Sequence, residues 1–174
     1  LARRLARIEG SAASHLEAML WVDLAESERA EGRTQVARKA LRRALRADRQ
    51  SARAWLALGV VEAELGNARR ALAAWRRVPE IDRRAGPSVY PRLAATFAAL
   101  GRAREYEAFL LELIAGDAED AGARLALARA LAARGATEDA LAEVRRVLDR
   151  EPEHLEAQVA QGRILLAEGR EAEV

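Results

Sequence analysis

Apolar residues recur along this chain at helical spacing, in two stripes that alternate within a 34-residue period. With Trp21 and Trp55 both set at position 4, Leu24 and Leu58 stand at position 7, Ala25 and Gly59 at 8, and Gly32 and Gly66 at 15. Ala37 and Ala71 follow at position 20, Leu41 and Trp75 at 24, and Ala44 and Val78 at 27. One residue is inserted near Gly86, after which the register resumes with Tyr90, Leu93, Ala94, Gly101, Tyr106, Leu110 and Leu113. It returns as Arg124, Leu127, Ala128, Gly135, Ala140, Val144 and Val147, and Gly162 and Gly169 begin another round. Positions 4, 7, 8 and 11 share one face of a helix A, and positions 20, 24 and 27 share one face of a helix B. Small residues at 8 and 20 predict that the two helices touch there. The glycine at 15 predicts a left-handed terminus to helix A. One such hairpin cannot bury its own stripe, so neighbours must stack.

These positions resemble the tetratricopeptide repeat pattern. The resemblance implies an all-α fold, a right-handed superhelical solenoid of antiparallel helix pairs. The register places repeats at 18–51, 52–85, 87–120 and 121–154, with 1–15 as the end of a preceding repeat and 155–174 as a truncated one. Two positions depart from the pattern: Tyr106 stands where a small residue is expected, and Arg124 where a bulky one is. Trp21, Trp55 and Trp75 are expected as core knobs between helices. Ser14 to Glu17, "SHLE", reads as a capping box before the first helix A. Thr137, followed by Glu138 and Asp139, reads as the cap of a helix B. Pro87 and Pro152 fit near the first turns of helices. Pro91 predicts a third helix A that starts near Ser88 or is distorted.

Composition agrees with helices. Half of the 174 residues are apolar, mostly Ala and Leu, while aromatic residues are 4%. The 29 basic and 27 acidic residues leave a net charge of +2, and their signs alternate along the chain. That distribution reads as solvated helix faces, not a nucleic-acid footprint. There is no Cys, so disulfides and thiolate metal sites are excluded within this chain. Apolar runs such as "LAATFAAL" (93–100) are too short to span a bilayer, and no signal peptide is visible. The sequence opens on "LARRLARIEG" and ends on "EGREAEV", and it reads as a fragment of a longer protein.

No catalytic constellation and no cofactor motif emerge. His15 and His154 are far apart and lack metal-ligand spacing. Both are expected at the surface near helix starts. No serine lies in a G-x-S-x-G context. Arg42-Arg43, Arg76-Arg77 and Arg145-Arg146 recur on the outer face of helix B, without interleaved aromatics for base stacking. The repeat resemblance implies a non-enzymatic module that binds a protein or peptide in a concave groove lined by A helices. The corresponding positions carry Met19, Val22, Glu26 and Arg29; Arg53, Leu56 and Val60; Arg92 and Ala95; Leu125 and Arg129. The subset of repeats that clamps a chaperone's C-terminal carboxylate uses Asn at position 9. Here position 9 is Glu26, Val60, Ala95 and Arg129, which argues against that activity.

A narrower resemblance lies in "ALRRALRADRQSARAWLALGVVEAELGNARRALAAWRRVPEID" (40–82), the following "YPRLAATFAALGRAREYEAFLLELI" (90–114), and the leading "LARRLARIEG". These are similar to the cytoplasmic repeat region of the bacterial lipopolysaccharide assembly protein B family. That resemblance implies a cytoplasmic location, with tethering to the inner membrane by an anchor outside this sequence and a zinc domain beyond its other end. It also implies a role in presenting the deacetylase LpxC to the membrane protease FtsH. The family's zinc cysteines have no counterpart here. Two other readings stand beside this one: the substrate-presenting repeat region of a larger enzyme such as a glycosyltransferase, and an array that dimerises through its ends.

Overall fold

The computed structural model describes residues 2–169, with side chains from Gly10 onward. The regular structure among them is helical, with no strand. The helices are α1 (Ala2–Ala30), α2 (Thr34–Ala47), α3 (Ala52–Glu64), α4 (Ala68–Ile81), α5 (Tyr90–Ala99), α6 (Ala103–Gly116), α7 (Ala121–Ala133), α8 (Thr137–Leu148) and α9 (Leu155–Ala167). A 3₁₀ helix spans Arg83–Ser88. The chain divides into two compact units, Leu1–Ala85 and Gly86–Val174, and the division falls inside that 3₁₀ helix. The first unit holds the pairs α1/α2 and α3/α4. The second holds α5/α6, α7/α8 and α9. Leu1, and the end of the truncated repeat at 170–174, lie outside the described residues.

The A helices end as the glycine spacing predicts. After α3, Gly66 has φ +74°, its N–H donates to Ala63 O at 2.9 Å, and the Asn67 N–H reaches back to Glu62 O at 2.8 Å. The two bonds satisfy carbonyls that the helix end leaves unpaired, and the left-handed backbone between them strains any residue with a Cβ. Gly32, Gly101 and Gly135 repeat this geometry. The residue after each glycine is thus already bonded into helix A. It opens helix B with no side-chain cap, as Arg33, Asn67, Arg102 and Ala136 show. For that reason Thr137 is not the cap of α8. It lies one residue inside, and its Oγ1 donates to the Glu168 carboxylate at 2.7 Å. Glu138 and Asp139 do occupy the first turn of α8, against its positive end.

Side-chain caps belong instead to A helices. Ser51 Oγ accepts from Ala54 N at 3.2 Å, Asp120 Oδ1 from Ala123 N at 2.8 Å, and His154 Nδ1 from Ala157 N at 3.3 Å. The "SHLE" box caps nothing, because α1 runs unbroken through it and Ser14 Oγ bonds back to Gly10 O at 3.0 Å. The same continuity puts His15 inside a helix, away from any start. Pro91 falls in the first turn of α5, where its missing N–H would have no intrahelical partner, so α5 begins at Tyr90 without a break. Pro87 lies in the 3₁₀ helix just before α5, and Pro152 in the turn just before α9.

Close approach within each pair sets the core. Ala25 and Ala37, Gly59 and Ala71, and Ala128 and Ala140 are all buried, which brings A and B backbones together. At α3/α4 the restriction is severe. A Cβ on Gly59 would lie 2.2 Å from Trp75 Nε1. Trp75 is the one tryptophan that serves as a core knob, only 4% exposed. Trp21 and Trp55 are half-buried against the core of the first unit and do not serve as buried knobs.

The reason lies in what position 4 does. Trp55 Nε1 donates to Arg49 O at 2.9 Å, Arg124 Nε to Ala118 O at 2.9 Å, and Gln158 Nε2 to Pro152 O at 2.8 Å. Each side chain reaches the carbonyl six residues earlier and ties the turn to the helix that follows. A side-chain N–H is what these three residues share, so Arg124 is a substitute and not a defect. Its Nη1 also donates to the buried Glu143 carboxylate of α8 at 2.7 Å. Trp21 follows no turn, because α1 is continuous, and its Nε1 bonds Glu17 at 3.2 Å.

Gly59→Ala should destabilise the first unit by about 3 kcal/mol through overpacking, and by much less when it is made in a Trp75→Leu background. Urea denaturation of the four proteins of that cycle measures it; equal losses with and without Trp75 would deny the contact. Arg124→Leu should cost about 2 kcal/mol, because the Glu143 carboxylate keeps Arg146 but loses its more buried partner and Ala118 O loses its donor, and Arg124→Leu/Glu143→Leu less. The same denaturation series reads both variants.

Candidate functional site

The A helices carry the candidate binding residues, and their burial sorts them. On α1, Met19 is 40% exposed, and Glu26 and Arg29 are exposed. On α3, Arg53 is exposed while Leu56 and Val60 are half-buried. In the second unit Arg92, Ala95 and Arg129 are exposed. Val22 and Leu125, at 0% and 1%, are buried and have no surface for a partner. Both occupy position 5, on A helices that a following A helix covers: α3 packs on α1, and α9 packs on α7.

The exposed charges are engaged with one another. Arg53 Nη2 lies 2.8 Å from both Asp23 and Glu26, and Arg29 Nη1 lies 2.6 Å from Glu64, so two arginines bridge α1 and α3. The Glu26 hydrogen bond is the main cause that raises the Arg53 pKa above its ordinary value. Arg129 bridges α7 and α9 through Glu156 at 2.5 Å. Arg92 Nη1 donates to Ser88 O at 2.6 Å. Such solvated pairs contribute about 0–1 kcal/mol each. Their larger effect is to neutralise the face, which leaves Met19, Leu56 and Val60 as its uncommitted contact surface.

The outer arginines are similarly occupied. Arg42 lies 3.8 Å from the buried Glu62 carboxylate, and the Arg43 guanidinium stands 4.7 Å from the Trp21 ring centroid. Arg77 and Arg146 pair with Glu80 and Glu143.

Two hollows add features the periodicity did not announce. In the first unit an open depression of about 840 Å³ is bordered by Ser14, His15 and Asp48, and His15 Nδ1 lies 2.9 Å from Asp48 Oδ2. The Ser14 hydroxyl donates to Gly10 O, so it does not extend the pair into a nucleophilic relay. In the second unit a hollow of about 680 Å³ opens between α5, α6 and α7, lined chiefly by alanines. Tyr106 forms part of its wall. The Tyr106 ring packs on Phe97 with centroids 5.6 Å apart, and its hydroxyl donates to Tyr90 O at 3.0 Å. Burial pushes the phenol pKa above its ordinary value, so it remains a neutral donor. The sequence signal for this hollow was Tyr106 at a position that is Ala elsewhere. Among the described residues no group of His, Asp and Glu gathers as a metal site, and no helix is long and apolar enough to cross a membrane.

Comparison with known proteins agrees with this architecture. The chain matches the tetratricopeptide repeat family over residues 22–88 and 125–173, more than half its length, and it belongs to that family. Among solved structures it is similar to MamA from Desulfovibrio magneticus RS-1, at 17% identity and a TM-score of 0.57, covering 90% of this chain and 88% of that one. It is also similar to pilF of Pseudomonas aeruginosa, at 20% identity and a TM-score of 0.59, covering 90% of this chain and 71% of that one. A third is YrrB, a tetratricopeptide repeat protein with an unusual peptide-binding site, at 19% identity and a TM-score of 0.50, covering 88% and 78%. At these identities the likeness shows the fold. No curated protein matches the chain.

Proposed function

We propose that this chain is a non-catalytic scaffold that holds a peptide or protein segment against its A helices. The observation that carries the reading is the face of α1 and α3. Met19, Leu56 and Val60 remain accessible there between arginines already matched by Asp23, Glu26 and Glu64. An apolar strip between neutralised rims suits burial against another chain, and it offers no group to activate a substrate. YrrB, a protein of the same fold, is described by its peptide-binding site, and that supports the same use here.

The finer reading is the repeat region of a lipopolysaccharide-synthesis regulator that presents LpxC to FtsH at the cytoplasmic side of the inner membrane. Its support is the resemblance in residues 40–82 and 90–114. Co-purification of the chain with LpxC, and loss of that association in the variants below, tests it.

Arg53 is a poor probe of binding, since its replacement also breaks two ion pairs. Met19→Glu/Val60→Glu is the better choice. Peptides selected from a phage-displayed library on the wild-type chain should bind this variant at least about tenfold more weakly, with helicity retained by circular dichroism. Unchanged affinity for every selected peptide would remove this face from the binding surface.

A further inference from the structure

The hollow of the second unit exists because one residue breaks the rule that closes the other pairs. At the equivalent points Ala25 and Ala37, Gly59 and Ala71, and Ala128 and Ala140 are small and buried. In α5/α6 the same two points hold Ala94 and Tyr106, whose ring and hydroxyl are fixed by Phe97 and the Tyr90 carbonyl. A phenol cannot occupy the space of a methyl group, so α5 and α6 pack less extensively than the other pairs. The opening is lined by Ala94 and Ala98 of α5, Tyr106 of α6, and Ala130 and Ala133 of α7. It continues past Tyr106 into an adjoining trough of about 160 Å³ that Pro91 and Arg129 help to line. None of these alanines is long enough to fill it. The space is therefore largely apolar and open to solvent.

Its polar groups stand at the rim. Glu107 is engaged by Arg134 at 3.0 Å, and the Tyr106 hydroxyl by Tyr90 O. Arg104 borders the same hollow, is exposed, and has no carboxylate partner among the described residues. A small polar ligand would find no buried donor to orient it, whereas an apolar side chain would fill space the alanines leave. The uncommitted arginine beside that space favours an anionic neighbour.

We propose that the groove held open by Tyr106 binds a peptide segment in which a bulky apolar residue is flanked by an acidic one. This rests on the scaffold reading and locates a partner-specific site on a different set of residues from the α1/α3 face. The apolar side chain sits over Ala94, Ala98 and Ala130, and its acidic neighbour reaches Arg104.

The test uses fluorescence anisotropy with the full chain and three pools of labelled octapeptides. The first pool has Leu, Phe or Met at the two central positions flanked by Asp, the second replaces Asp by Lys, and the third replaces the central residues by Ser. The wild type should bind the first pool at least about tenfold more tightly than either other pool. Ala98→Trp, at an exposed site that leaves the fold intact, should abolish this binding by filling the groove. Arg104→Glu should weaken it by about tenfold. Equal affinity for the three pools, or binding by Ala98→Trp as tight as by wild type, overturns the proposal. If the phage-selected peptides bind Ala98→Trp normally but lose affinity for Met19→Glu/Val60→Glu, this groove is refuted and the scaffold reading stands. If no peptide is selected by the wild-type chain, both fall.

Discussion

How closely the two helices of a pair can approach is decided by two side chains, and the rest of the molecule depends on that distance. Where both are as small as Ala25 and Ala37, the backbones meet and the flanking leucines and valines close into a core. Gly59 shows how little room there is, since even a methyl group would collide with Trp75. The glycines after α1, α3, α5 and α7 serve the same end, because a tight left-handed exit lets helix B start beside the helix it must touch. Tyr106 is the exception, and a hollow stands where a closed contact would have been.

A second requirement operates between pairs. The turn into a helix A has a carbonyl that needs a donor, and Trp55, Arg124 and Gln158 each supply one from position 4. Residues with nothing in common as hydrophobes are interchangeable here because each ends in an N–H. This explains how the pattern survives Arg124 with its geometry intact. It also explains why Trp55 stays half-buried: its ring must reach outward to the turn.

Much of this was legible in the sequence, for physical reasons that vary by residue. The glycine spacing and the small pairs could be read because they act within one hairpin. "SHLE" misled because a cap needs a chain that stops, and α1 does not stop there. Thr137 misled because the backbone of the preceding glycine turn had already taken the cap's place. Val22 and Leu125 were read as surface from their place in the repeat, yet their exposure is set by the A helix that comes next. The hollow beside Tyr106 was visible only as an odd residue, since its walls come from three helices. The Arg53, Arg29 and Arg129 bridges likewise join residues far apart in the chain.

One side chain, Tyr106, holds α5 and α6 apart. Because the chain has no cysteine, spin labels can be placed only where cysteines are introduced, at the exposed Ala95 and Ala108. Dipolar broadening between labels at Ala95→Cys and Ala108→Cys reports the separation of the two helices. With Tyr106→Ala added, the distance should shorten, as the pair closes onto two alanines. The same distance with and without Tyr106 would contradict it.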